Sequence, residues 1–130
     1  MIVAGRSSGQ QRRTVLASDT TMKTADLFME LTATYRKHGW QLQGVLMRPE
    51  TQMELQSQLP DELPVKGSQV DALWFSRPSY NNREAWELRL LAQTQYALFE
   101  TFEADETEEE REDVKLEMEA RLRDYALGQQ

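Results

Sequence analysis

The chain has 130 residues with no internal repeat and no cysteine, which leaves no room for a second catalytic lobe and excludes disulfides, thiolate nucleophiles and Cys-based zinc sites. Apolar residues make up 39% of it, and three Trp, four Tyr and four Phe give one core enough bulk to exclude wholesale disorder. The net charge of −7 is graded along the chain, from seven Lys/Arg against three Asp/Glu in residues 1–48 to four against eleven in residues 103–130, which disfavours general nucleic-acid binding.

Residues 1–21 read as a flexible basic N-terminal arm, rich in Arg, Ser, Gly and Gln, in which only Thr14 to Ala17 has the character of a strand. The stretch fits equally a short transit-like leader or translation from a start codon upstream of Met22. Ile2-Val3-Ala4 is too short for a signal-peptide core, and no apolar run approaches the roughly 20 residues that cross a bilayer. A cytoplasmic chain with no membrane partner is the expectation. Gly5-Arg6-Ser7-Ser8-Gly9 matches the G-x-S-x-G nucleophile elbow letter for letter, but only four residues precede it and Gln10 to Arg13 is no helix start, so the strand and helix that expose such a serine are not expected.

Residues 22–130 read as a single α+β domain. From Thr24 the apolar positions Leu27, Phe28, Leu31 and Tyr35 share one helical face, with Thr24 as the expected cap and Gly39 as the stop. His38, the only histidine, falls in the last turn, where it suits the helix's final carbonyls better than a general-base role. A single histidine also excludes any site built on paired His. Trp40 to Met47 alternates as a strand, and Pro49 opens a short helix to Gln58 with Met53 as its expected anchor. Pro60 to Gln69 reads as an exposed loop. Val70 to Ser76 is an apolar run bounded by Gly67 and Pro78, as a central strand should be.

Asn81 followed by Glu84 matches a capping box and predicts a helix from Asn82 to about Glu103. On that helix Leu88, Leu91, Ala92, Leu98, Phe99 and Phe102 share one face, while Trp86, Leu90 and Ala97 lie nearly opposite, so two neighbours are required. Thr107 with Glu110 caps a second helix carrying the stripe Val114, Met118, Leu122 and Tyr125. The expected architecture is therefore a small two- or three-stranded sheet packed against helices, with a C-terminal helical hairpin that turns at residues 104–106 or else continues as one rod.

Two sites follow. Arg77, Ser79, Tyr80, Asn81, Asn82 and Arg83 gather where a strand hands over to a helix N-terminus, a place suited to a carboxylate or other anion, although Asn and Ser there also serve simply as caps and turn formers. Trp86, Leu90 and Ala97 form the candidate interface with a protein partner or a second copy. The acidic run from Glu103 to Glu119 fails as an EF-hand, because Glu110 and Leu116 occupy the positions of the required Gly and Glu, and it reads as a solvated helix face. Trp40, Trp74 and Trp86 read as core or sheet-face residues rather than a base-stacking platform. No pattern calls for a cofactor or metal and no catalytic pair is visible, although Asp71, Glu84, Tyr80 and His38 remain groups that a fold could bring together. The chain thus reads as a non-enzymatic interaction or self-associating domain using the hairpin or a sheet edge, with an anion-binding, weakly enzymatic domain as the alternative.

Overall fold

The computed structural model describes residues 22–128. The basic arm, its possible strand and the G-x-S-x-G match lie outside them. The elements in order are α1 (Thr24–Lys37), β1 (Gln41–Met47), α2 (Pro49–Leu55), β2 (Val65–Gly67), β3 (Ala72–Pro78), β4 (Glu84–Leu90), β5 (Ala97–Phe102) and α3 (Glu108–Gly128). Single 3-10 turns follow α2 and precede β4.

The strands form one five-stranded mixed sheet in the order β2-β1-β3-β4-β5, larger than the two or three strands expected. β1 and β2 run parallel, and every other neighbouring pair is antiparallel. The exposed loop expected at Pro60 to Gln69 contains β2, which lies along β1 with Val65 opposite Val45.

Side chains alternate across the sheet and build two cores. On one face Val45, Met47, Leu73 and Phe75 pack with Phe28 and Leu31 of α1 and Leu55 of α2. On the other, Leu46, Ala72, Trp74, Leu88 and Leu90 pack beneath Met118 and Leu122 of α3, with Val114 and Tyr125 at its margins. The stripe read on α3 is therefore its buried face. Its capping box is also present: Glu110 N–H donates to Thr107 Oγ1 at 3.1 Å and Thr107 N–H to Glu110 Oε1 at 2.9 Å.

The helix expected from Asn82 to Glu103 does not form; β4 and β5 occupy that stretch as a hairpin, and among the described residues α3 packs on the sheet with no helical partner. Ala85 to Leu90 alternates strictly, with Trp86, Leu88 and Leu90 toward α3 and Ala85, Glu87 and Arg89 toward the α1 side. Plotted at 100° per residue, that alternation scatters its apolar residues over two faces. As a strand it has one apolar face, which α3 covers. Tertiary pairing thus overrides a cap signal that was local in origin.

Asn81 and Asn82 supply the turn that makes this possible. Both have positive φ, 57° and 62°, and Arg83 N–H donates to Tyr80 C=O at 3.0 Å. Two successive left-handed residues closed by that bond make a type I′ turn, whose twist matches the flanking strands. Asparagine enters this region more readily than other side chains of its size. The residue type that caps helices here reverses a strand.

Smaller expectations are also corrected. Lys23, with no side-chain bond, precedes α1, and Thr24 is its first residue. Gly39 has φ +91°, as the helix stop requires. Met53 is 78% exposed, and α2 is anchored by Thr51 and Leu55. Its N-terminus is fixed by Asp71, the one buried charged residue among those described. That carboxylate accepts from Arg48 N–H at 2.8 Å, Arg48 Nε at 3.1 Å and Thr51 Oγ1 at 2.7 Å. Asp71 is thereby a positioning group at the start of α2, distant in the sheet from Tyr80 and Glu84.

Candidate binding cleft and sheet edge

The end of β3, the turn after it and the β5 edge enclose a cleft of about 500 Å³ lined by Trp40, Arg77, Pro78, Ser79, Tyr80, Ala85 and Phe99. Each side chain arrives there for a local reason. Trp40 follows the Gly39 stop at the start of β1, and Arg77, Ala85 and Phe99 stand on one sheet face because Arg77 pairs Ala85 and Phe99 lies two residues from Ala85's partner Thr101. α1 lies over β1 and through Tyr35 reaches Phe75 of β3 and Glu87 of β4, while Tyr80 and Phe99 nearer β5 stay accessible. Tyr80 is 84% exposed and Phe99 59%.

The aromatic rings meet at steep angles. Trp40 and Phe99 have centroids 6.2 Å apart with planes at 82°, and Trp40 meets Tyr35 at 6.1 Å and 68°. Both are edge-to-face geometries favoured by ring quadrupoles. Arg77 lies with Cζ 5.6 Å from the Trp40 ring, and its Nη1 donates to His38 C=O at 2.9 Å. His38 itself places Nδ1 2.9 Å from Thr34 C=O, bound to a carbonyl in the last turns of α1.

Behind the cleft Tyr35 stacks on Phe75 at 4.0 Å and donates its hydroxyl to Glu87. Burial, and then the Glu87 carboxylate, push the Tyr35 phenol well above its ordinary value. Glu87 is thus held by a donor within the fold rather than directed into the cleft.

The six residues read as an anion site divide between two surfaces. Arg77, Ser79 and Tyr80 line the cleft just described, while Asn82 and Arg83 line a smaller one with Gln41, Gln43, Ser76 and Glu84, sharing Arg77, Pro78 and Ser79. Asn81 lines neither. No helix begins here, so the expected dipole is missing, and Arg83 pairs with Glu103 at 2.9 Å. Arg77 keeps donors to spare.

The three interface residues also separate. Leu90 is buried at 6% exposure under α3. Trp86 lies edge-on to Trp74 at 5.9 Å with Lys115 Nζ 3.6 Å from its ring centre, so α3 partly covers it. Ala97 alone is exposed, at the start of β5. Trp40 and Phe99 were the functional candidates the sequence reading missed. A period-two reading of Ala97 to Phe102 would have set Phe99 beside Ala97 and Thr101, away from Leu98 and Phe102.

The two sheet edges differ. β2 has three residues, among them Lys66 and Gly67, and follows Pro64, all features that discourage further pairing. β5 has six residues, Ala-Leu-Phe-Glu-Thr-Phe, with one charge, no Pro and no Lys, and among the described residues its only strand neighbour is β4.

Comparison with known proteins finds no matching family model, curated sequence or solved structure. Among the described residues no helix is long and apolar enough to cross a membrane, and no cluster of three or more His, Asp or Glu is placed to hold a metal ion.

Proposed function

We propose that this chain is a non-enzymatic, self-associating interaction domain in which two copies join antiparallel through β5. The observation that carries it is the self-complementary edge of β5, which no strand among the described residues covers. Leu90 N–H donates to Tyr96 C=O at 2.9 Å, and in an antiparallel ladder such bonded positions alternate. Tyr96, Leu98, Glu100 and Phe102 therefore turn their backbone groups to β4, and Ala97, Phe99 and Thr101 turn theirs outward.

A two-fold axis must pair residues that share a face. With the axis at Phe99, that residue meets Phe99 of the second copy, Ala97 meets Thr101, and Glu100 meets Leu98. Moving the axis to Glu100 sets two carboxylates directly opposite, which is destabilising. Moving it to Leu98 shortens the ladder. One register is thus favoured by charge and length together, and it yields a continuous sheet of two five-stranded halves. A cytoplasmic location suits a cysteine-free chain of net charge −7.

The test uses light scattering coupled to gel filtration at about 50 µM, the range in which a modest edge pairing is populated. The wild type should run as a dimer. Ala97→Pro removes an outward N–H at the first residue of an edge strand, where proline is tolerated, and should give a folded monomer. A monomeric wild type, or an Ala97→Pro and Thr101→Lys double variant that dimerises like the wild type, would overturn the proposal.

A further inference from the structure

The cleft beside β5 carries an inference that does not depend on dimer formation. Its walls are three aromatic rings and a proline, its floor is Ala85, and its one charged group is the exposed guanidinium of Arg77. Among the described residues no carboxylate lines it, so its one formal charge is opposite in sign to the chain's net charge. Glu87, opposite Phe99 in the β4–β5 register, is occupied by the Tyr35 hydroxyl.

We infer that this cleft binds a small aromatic carboxylate, the ring seated against Phe99 and Tyr80 and the carboxylate on Arg77. Phe99 stands at 82° to Trp40 and is itself 59% exposed, so that beside their contact it leaves open ring surface for a third ring. Its volume of about 500 Å³ suits a small molecule. Three aromatic walls would otherwise suggest a quaternary ammonium ligand, but Arg77 already lies over Trp40 and would repel it. Arg77 spends one hydrogen bond on His38 C=O, and a guanidinium has five N–H donors, enough left for two parallel bonds to a carboxylate. That same bond to His38 fixes the guanidinium plane before any ligand arrives, which lowers the ordering cost of binding. A doubly charged phosphate is less suited, because a single arginine would face it in a chain of net charge −7 with no cradle of backbone N–H groups.

The experiment is a titration of ¹⁵N-labelled protein with 3-phenylpropionate, following the Trp40 indole N–H signal assigned through Trp40→Phe. A saturable shift is expected with a dissociation constant on the order of 1 mM, the range for an acid of this size. The neutral 3-phenylpropionamide should bind about tenfold more weakly, from the loss of a charge-assisted pair. Benzyltrimethylammonium should leave the signal in place. Arg77→Gln should bring acid and amide to equal affinity, and Tyr80→Ala, at an exposed position that does not endanger folding, should weaken both while keeping their ratio. Ala97→Pro should keep the wild-type preference for the acid, so loss of dimerisation and loss of ligand binding are read separately. Equal binding of acid and amide to the wild type, a preference that survives Arg77→Gln, or no shift at about ten times the expected dissociation constant would overturn the inference.

Discussion

Replacing Asp71 by alanine should be among the most damaging single polar substitutions in this chain, at about 3 kcal/mol. The carboxylate is 8% exposed and accepts from one backbone N–H, one guanidinium and one hydroxyl. Those donors are not equal. The Arg48 side chain is 47% exposed, so its part is screened to about 1 kcal/mol or less. Thr51 is 2% exposed and loses its acceptor in a dry place, and the Arg48 N–H lies at the start of α2; each costs about 1–1.5 kcal/mol. Arg48→Ala keeps both of those bonds and should cost only about 1 kcal/mol. Asp71→Asn keeps an oxygen for the backbone N–H but turns an NH₂ toward two donors, and should fall between, at about 2 kcal/mol. Urea unfolding followed by tryptophan fluorescence gives all three values, and the alanine variant should melt roughly 10 °C lower. Were Arg48→Ala as costly as Asp71→Ala, the exposed ion pair rather than the buried acceptor would dominate, and the reasoning would fail.

Leu122, fully buried on the sheet-facing side of α3, should cost about 2–5 kcal/mol when truncated to alanine, measured by the same unfolding curves. Asn82→Gly should stabilise the β3–β4 turn by a few tenths of a kcal/mol, whereas Asn81→Val should destabilise it by about 1–2 kcal/mol, because a β-branched side chain opposes positive φ. Tyr35 gives a pH prediction. Its phenol is raised in the folded state, so its contribution is intact below the unfolded value of about 10 and is lost as pH rises above it. Tyr35→Phe should therefore lose stability less steeply than the wild type between about pH 9.5 and 11.5, and parallel slopes in urea midpoints would contradict the assignment.

The parts of this fold legible in sequence were those whose signals were complete within a few residues. α1 carries its stripe and its Gly39 stop, β1 and β3 their apolar runs between breakers, and α3 a reciprocal capping box ahead of Met118 and Leu122. The signals that misled were shared by two structures. Asn81 with Glu84 has the letters of a cap, yet asparagine also enters the left-handed region that a type I′ turn requires. β2 has almost no local signal; Val65 to Gly67 are exposed and pair only because β1 lies alongside. The cleft was legible in part for the same reason. Arg77, Ser79 and Tyr80 were found from their proximity to a strand end, while Trp40 and Phe99 come from distant segments and join them only through sheet pairing.

That exchange of helix for hairpin also changes the physical basis of association. As a helix, the segment around Leu90 would have needed a second apolar neighbour, and a partner would have been held by side-chain burial. As strand β4, it sends Trp86, Leu88 and Leu90 to one side, where α3 satisfies them, and that reason for a partner disappears. In the proposed dimer, what replaces it lies one strand further on. Pairing through β5 would draw on backbone groups of Ala97, Phe99 and Thr101, which are the same in any sequence, so specificity must come from side chains that penalise wrong registers. Glu100 does this: it is tolerated opposite Leu98 and opposed by its own copy one step away. Glu100→Ala should therefore not abolish dimerisation but loosen its register, and cross-linking through cysteines introduced at position 99 or 101 distinguishes the outcomes. In the wild type only 99-to-99 bridges should form; in Glu100→Ala, 101-to-99 bridges should join them when the two cysteine variants are mixed. Register fidelity that survives Glu100→Ala would mean that something other than charge sets the pairing.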